Sequence, residues 1–198
     1  MNTNIKRLAE ESAFYRKLSQ LDGLTELFNY RHFQQLLDIE LNRAQRGNKP
    51  LSLVLIDTDD FKLYNNTCGQ AMGELALKKL AWVLTHNCRR CDFTARYGDE
   101  EFAVIIPDTP KQIAAIVANR IRQAVAGMEF KYEHILPQGG FTVSLGVAEY
   151  PADAQSQDEL IEKAEQALCR AKNSGENRVC LFDAETTLNR SRKLIQKR

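Results

Sequence analysis

The run Leu51-Ser52-Leu53-Val54-Leu55-Ile56 narrows the fold more than any other feature of this chain. Gly47-Asn48-Lys49-Pro50 closes it on one side and Asp57-Thr58-Asp59-Asp60 on the other. A short apolar run between turn formers reads as a buried strand, since a helix would need a longer periodic stretch. Further on, Thr94-Ala95-Arg96-Tyr97, the pair Gly98-Asp99 and Phe102-Ala103-Val104-Ile105-Ile106 read as a β-hairpin with a two-residue primed turn. A hairpin forces antiparallel pairing. Helical spacing predicts helices over 31–46, 71–87, 111–126 and 157–172, with further strands over 141–149 and 179–182. The expected fold is therefore α+β, a central and mostly antiparallel sheet flanked by helices.

The length of 198 residues fits one domain plus a short extension. The 27 Lys and Arg against 26 Asp and Glu leave a formal charge of +1, which excludes a broadly basic nucleic-acid binder. No apolar run approaches the roughly 20 residues that span a bilayer, and the N-terminus has no signal-peptide core. The five cysteines (Cys68, Cys88, Cys91, Cys169 and Cys180) are odd in number and scattered, so a reduced, cytoplasmic setting is expected. Cys88 and Cys91 form a C-x-x-C with no second pair, which reads as two incidental thiols. Residues 1–20 carry Ile5, Leu8, Tyr15, Leu18 and Leu21 at loose helical spacing and read as an amphipathic stalk that packs against the domain or another chain. The domain is expected over 21–183, followed by a polar tail over 184–198.

Two acidic groups stand at the ends of neighbouring strands. Asp57 and Asp59 follow the buried run, and Glu100 and Glu101 sit at the tip of the hairpin. Magnesium takes hard oxygen ligands, commonly one or two carboxylates plus substrate phosphates, and paired ions can clamp both oxygens of a phosphoryl transfer. Each cluster taken alone reads more readily as ordinary solvated turn carboxylates.

The residues around these carboxylates resemble the GGDEF family of diguanylate cyclases. The resemblance is carried by DGLTELFNYRHF at 22–33, LIDTDDFKLYNN at 55–66 and ARYGDEEFAVIIP at 95–107. TVSLGVAEYP at 142–151 and ALCRAKNSGENRV at 167–179 complete it, in the family's order and spacing. It implies a nucleotide-cyclase and polymerase-palm-like fold with a hairpin active site. The implied reaction joins two GTP into cyclic di-GMP and two pyrophosphates in a two-fold homodimer, with two Mg²⁺ or Mn²⁺ per site. By matching position, Asp57, Glu100 and the carbonyl of Thr58 are implied metal ligands, and Glu101 supports the metal or activates the 3′-hydroxyl. Lys62 and Lys172 match phosphate-contacting lysines, Asn65 and Glu74 match guanine-contacting residues, and Gln70 stands beside the nucleotide. Gly98 and Asp99 form the turn under which the nucleotide lies.

The chain departs from the family pattern at several of these positions. Asp99 replaces the second glycine of the motif, which becomes GDEEF, and adds bulk and charge. Glu74 stands for the usual Asp with its acceptors one methylene further out, and Gln70 for a common His. Glu176 replaces an Arg that meets the triphosphate, losing a contact worth roughly 1.5–3 kcal/mol, with Arg178 nearby as compensation. Arg89-Arg90-Cys91-Asp92 lies at the spacing of the family's RxxD inhibitory site, where Arg89, Asp92 and Arg120 are implied to bind cyclic di-GMP. The alternative to an active cyclase is a catalytically weak domain that binds cyclic di-GMP or GTP as a signalling module. An upstream sensor or regulatory partner is implied in either case.

Overall fold

The structure, a computed structural model, describes residues 20–184. The stalk expected over 1–20 therefore lies outside the described residues except for Gln20, and so does the tail beyond residue 184. The strands are β1 (Leu51–Thr58), β2 (Phe93–Arg96), β3 (Glu101–Pro107), β4 (Val143–Tyr150) and β5 (Val179–Leu181). The α-helices are α1 (Tyr30–Gly47), α2 (Phe61–Cys68), α3 (Gln70–Asn87), α4 (Lys111–Ala126) and α5 (Gln157–Asn173). The sheet runs β2-β3-β1-β4-β5, antiparallel throughout except that β5 lies parallel to β4. The expected α+β architecture is the observed one.

The apolar run is central because both of its faces are covered. Val54 and Ile56 pack with Val104, Leu145 and Val147 beneath α3 and α4. Leu53 and Leu55 pack with Ala103, Ile105 and Ala148 beneath α1 and α5. Side chains alternate across a strand, so a strand buried on both sides reads as continuous apolar sequence. Gly146 lets α5 lie directly on β4, since a Cβ there would stand 2.3 Å from the Ala164 carbonyl oxygen and 2.2 Å from the Leu168 nitrogen. The Asn29 side chain caps α1 by accepting from the His32 amide at 3.0 Å.

Three expectations differ from what is observed. The hairpin turn is longer than two residues: Arg96 pairs with Phe102, and the Tyr97 amide donates to the Glu101 carbonyl at 2.8 Å. Gly98, Asp99 and Glu100 therefore form the tip, and neither Gly98 nor Asp99 takes a positive φ. A primed turn would have demanded one. The strand expected from 141 starts at Val143, because the Phe141 ring turns inward and stacks on Phe130 at a centroid distance of 4.4 Å. Helix α2 was not foreseen. Its sequence, FKLYNNTC, has little helical propensity, and it begins at a left-handed Asp60 (φ 53) and stops at Gly69 (φ 84). Tertiary burial of Phe61 and Tyr64 against Phe141 holds it, with ring centroids 6.3 and 5.5 Å apart.

Candidate active site

Sheet register brings the acidic residues together. Asp57, at the end of β1, stands opposite Glu101 on β3 and Ser144 on β4. The Thr58 amide donates to the Glu100 carbonyl at 3.4 Å, which ties the strand end to the hairpin tip. A cleft of about 590 Å³ opens here, lined by Asp57, Lys62, Asp99, Glu100 and Glu101. A second cleft of about 740 Å³ shares Phe61, Asn65, Asn66 and Asp99 with it and continues to Gln70 and Glu74. The implied phosphate and base ends thus adjoin.

Asp57 and Asp59 are two residues apart and have unlike surroundings. Asp59 is buried at 2% exposure. Its carboxylate accepts from Thr142 Oγ1 at 2.7 Å, Ser144 Oγ at 2.8 Å and the Asn177 amide at 3.0 Å. It anchors β4 and the loop after α5 to the end of β1. Among the described residues, the Asp57 carboxylate has no partner except the Lys172 ammonium, 2.9 Å from Oδ1. That ammonium also donates to the Thr58 carbonyl at 2.7 Å and lies 3.2 Å from Asp59 Oδ1. Asp57 and the Thr58 carbonyl are the oxygens that resemblance assigns to a metal, and a cation already rests on them.

Burial pushes the Asp57 carboxyl above its ordinary range, and repulsion from Asp59 adds to this against the pull of Lys172. Burial likewise raises Glu100 and Glu101, each further raised by the Asp57 and Asp99 carboxylates. Burial lowers Lys172, but hydrogen bonds and charge from Asp57 and Asp59 outweigh it and leave the ammonium above its usual value. Among the described residues no three such side chains form a metal cage by themselves, so these oxygens would hold a divalent cation together with oxygens of a bound substrate.

The sequence model described as "Diguanylate cyclase, GGDEF domain" matches residues 19–178. The chain belongs to this family. It is 38% identical over 163 residues to the response regulator PleD of Caulobacter vibrioides, covering 82% of this chain and 36% of PleD. It is 34% identical over 168 residues to diguanylate cyclase A of Treponema denticola, covering 83% of this chain and 45% of that protein. The chain therefore spans less than half the length of either relative. Among solved structures, the coiled coil and GGDEF domain of DgcB from Caulobacter crescentus, in complex with c-di-GMP, superposes with a TM-score of 0.81 at 32% identity. That match covers 90% of this chain and 93% of DgcB's.

The remaining candidate residues around the cleft of this GGDEF domain lie on α2, α3 and the hairpin. Lys62 is exposed on α2 and lines the acidic cleft. Gln70 donates to Glu74 Oε1 at 3.1 Å and so orients the carboxylate at the base end. The Asn65 side-chain oxygen is buried without a hydrogen-bond partner and lies where a Cβ on Gly73 would be, 1.7 Å away. Gly73 is a positioning residue that sequence reasoning passed over; its signal was a glycine inside a helix. Gly98 also serves space rather than φ, because a Cβ there would meet Glu101 Oε2 at 2.4 Å.

A second overlooked group holds the GDEEF hairpin in place. Arg96 donates to the carbonyls of Gly98 at 3.2 Å and Asp99 at 2.8 Å, and contacts both Asp22 carboxylate oxygens at 3.2 Å. Asp22 also receives the Thr25 amide at 2.8 Å and the Thr25 hydroxyl at 2.6 Å. The loop at the start of the domain is thus wired to the tip of the hairpin.

Arg89, Asp92 and Arg120 share another corner. Asp92 Oδ2 accepts the Arg89 amide at 2.7 Å, and Arg120 reaches from α4 to the Asn87 carbonyl. Burial and the Asp92 carboxylate push the intervening Cys88 thiol up to about 12, against the pull of Arg120, so this thiol is a poor nucleophile. At the far side, Glu176 sits at φ 57. Burial and then the nearby Asp59 and Asp60 carboxylates raise its carboxyl, while Arg178 Nε donates to its carbonyl at 3.0 Å.

Proposed function

We propose that this chain is the catalytic domain of a Mg²⁺- or Mn²⁺-dependent diguanylate cyclase spanning about residues 21–183. The observation that carries the reading is the convergence of Asp57, Glu100 and Glu101 on one cleft that runs on to Asn65 and Glu74. Asp57, Thr58 O and Glu100 would hold the metals, which supply charge neutralisation of the triphosphate and polarisation of the reacting oxygens. Lys62 and Lys172 bind phosphate oxygens as point charges. Glu74, held by Gln70, accepts from N1–H and the exocyclic amine of guanine, a donor pair that adenine lacks. Asn65 contacts the same base through its side-chain amide. Glu101 supports the metal site or accepts the 3′-hydroxyl proton.

Each 3′-oxygen forms a bond to the α-phosphorus of the other GTP as the α–β phosphoanhydride breaks and pyrophosphate leaves. One subunit holds one GTP, so two chains must meet across a two-fold axis. Residues 1–20 are the natural pairing device, and an upstream sensor or regulatory partner would act through them. Arg89, Asp92 and Arg120 would bind the product and restrain the enzyme, in keeping with the DgcB structure's being a c-di-GMP complex.

Incubation of the protein with GTP and Mg²⁺ or Mn²⁺, followed by chromatography, tests the reading. Cyclic di-GMP should form with a specific activity that rises with protein concentration. Folded protein that yields none at high concentration overturns it. Asp99 and Glu176 favour a second reading, a weak cyclase that serves as a cyclic di-GMP receptor. Calorimetry with cyclic di-GMP run beside the GTP assay distinguishes the two, since both bind cyclic di-GMP and the receptor turns over little or no GTP.

A further inference from the structure

Lys172 occupies a place that phosphate binding alone does not explain. Its ammonium has three N–H donors and faces three oxygens: Thr58 O at 2.7 Å, Asp57 Oδ1 at 2.9 Å and Asp59 Oδ1 at 3.2 Å. We propose that Lys172 is a built-in counter-ion that holds the Asp57 and Thr58 oxygens in the nucleotide-free protein and yields them to a divalent metal only when a polyphosphate arrives to receive the ammonium. The inference rests on the cyclase reading of this cleft and adds to it a coupling between metal and nucleotide.

The Thr58 carbonyl, which accepts an N–H from Lys172, and Asp57 Oδ1, which the ammonium meets as an ion pair, are oxygens a metal would need at about 2.0–2.6 Å, so ammonium and metal compete for them. The three acceptors differ in what they lose when the lysine leaves. Asp59 keeps its bonds from Thr142, Ser144 and the Asn177 amide. Asp57 has no other partner among the described residues and is left as an uncompensated, partly buried carboxylate. Departure of Lys172 is therefore unfavourable unless another cation takes Asp57 and another anion takes the lysine. A metal–nucleotide pair supplies both at once. Lys172 sits in the last turn of α5, whose backbone rests on Gly146 of β4, so its stem starts from a fixed point and the exchange is a swing of the side chain. Reciprocity follows: metal strengthens nucleotide binding by the same factor that nucleotide strengthens metal binding.

The test titrates Mn²⁺ into nucleotide-free protein and follows the free-ion paramagnetic resonance signal. Lys172→Met should bind Mn²⁺ about tenfold more tightly than the parent chain, within the ordinary range of coupling between sites. A GTP analogue with a methylene α–β bridge should strengthen Mn²⁺ binding in the parent chain and much less in the variant. Adding Asp57→Asn to Lys172→Met should remove the gain, which places it at this carboxylate. Equal or weaker Mn²⁺ binding by folded Lys172→Met, or a gain that survives Asp57→Asn, overturns the proposal. If the variant does not fold, the Lys172 ¹³Cε resonance of the parent chain decides. It should shift when metal and analogue are added together, and an unmoved resonance with both bound overturns the proposal. None of these readouts needs turnover. A chain that shows the gain but makes no cyclic di-GMP refutes the cyclase reading alone, and an active chain without the gain refutes the counter-ion alone.

Discussion

The two ends of the cleft are built differently. The acidic end stands on β1 and the β3 hairpin, in the middle of a sheet buried on both faces, and its carboxylates are half-buried and mutually repelling. The base end stands on the short helix α2 and the first turn of α3, with Gln70 exposed and a glycine making room for Asn65. Strands with paired neighbours fix positions tightly, which suits reacting oxygens that must be placed within a fraction of an ångström. A short helix held by two aromatic rings is easier to vary. Substitutions at the first end should act on rate, and those at the second on affinity.

Glu100→Gln breaks the comparison most severely, with kcat expected to fall by more than about 10³-fold in the chromatographic assay. The same variant should be at least as resistant to thermal unfolding as the parent, because it removes a carboxylate that burial and Asp57 disfavour. A lower melting temperature would show that Glu100 stabilises the fold instead. Gly73→Ala probes the base end. Its Cβ displaces the Asn65 amide, so KM for GTP should rise about tenfold with kcat within about threefold. A fall confined to kcat would count against separate ends.

Proton linkage separates the regions again. The raised carboxyls of Asp57, Glu100 and Glu101 mean that, without metal, the folded chain binds more protons than the unfolded one just above the ordinary carboxylate range. Their contribution to stability falls as pH rises through that window, and Glu100→Gln should flatten the slope. Asp22 works in the other direction. Burial raises its carboxyl, but hydrogen bonds from Thr25 and the charge of Arg96 outweigh this and hold it low, so its contribution is lost as pH falls. Urea unfolding from about pH 2 to about pH 7, run on the parent and on Asp22→Asn, reads both slopes. The smallest effect is expected from Asp99→Gly. With no positive φ at that position the backbone gains nothing, and relief of charge near Glu100 and Glu101 should raise kcat/KM only about two- to fivefold at low salt.

The central strand, the helices over α1, α3, α4 and α5, and the acidic strand ends were legible in the chain because each depends on local periodicity. The family blocks then assigned Asp57, Glu100 and Lys62 by position. Local pattern could not show that FKLYNNTC becomes helical, since its helicity comes from Phe61 and Tyr64 meeting Phe141 across the chain. Nor could it set the hairpin tip, where the Arg96–Phe102 register and the Arg96 clamp to Asp22 choose a longer turn than Gly-Asp suggests.

Asp57 and Asp59 are the sharpest instance of this division. By sequence they are two like carboxylates at one strand end, and their types and spacing alone determined that oxygen ligands would cluster there. Tertiary structure decided which one is an anchor and which is open to chemistry. Thr142, Ser144 and the Asn177 amide are brought to Asp59 by β4 and the loop after α5, whereas among the described residues Asp57 is met only by Lys172. Partners from 83 to 118 residues away along the chain satisfy one carboxylate and leave the other available, a difference written in long-range contacts that no local pattern contains.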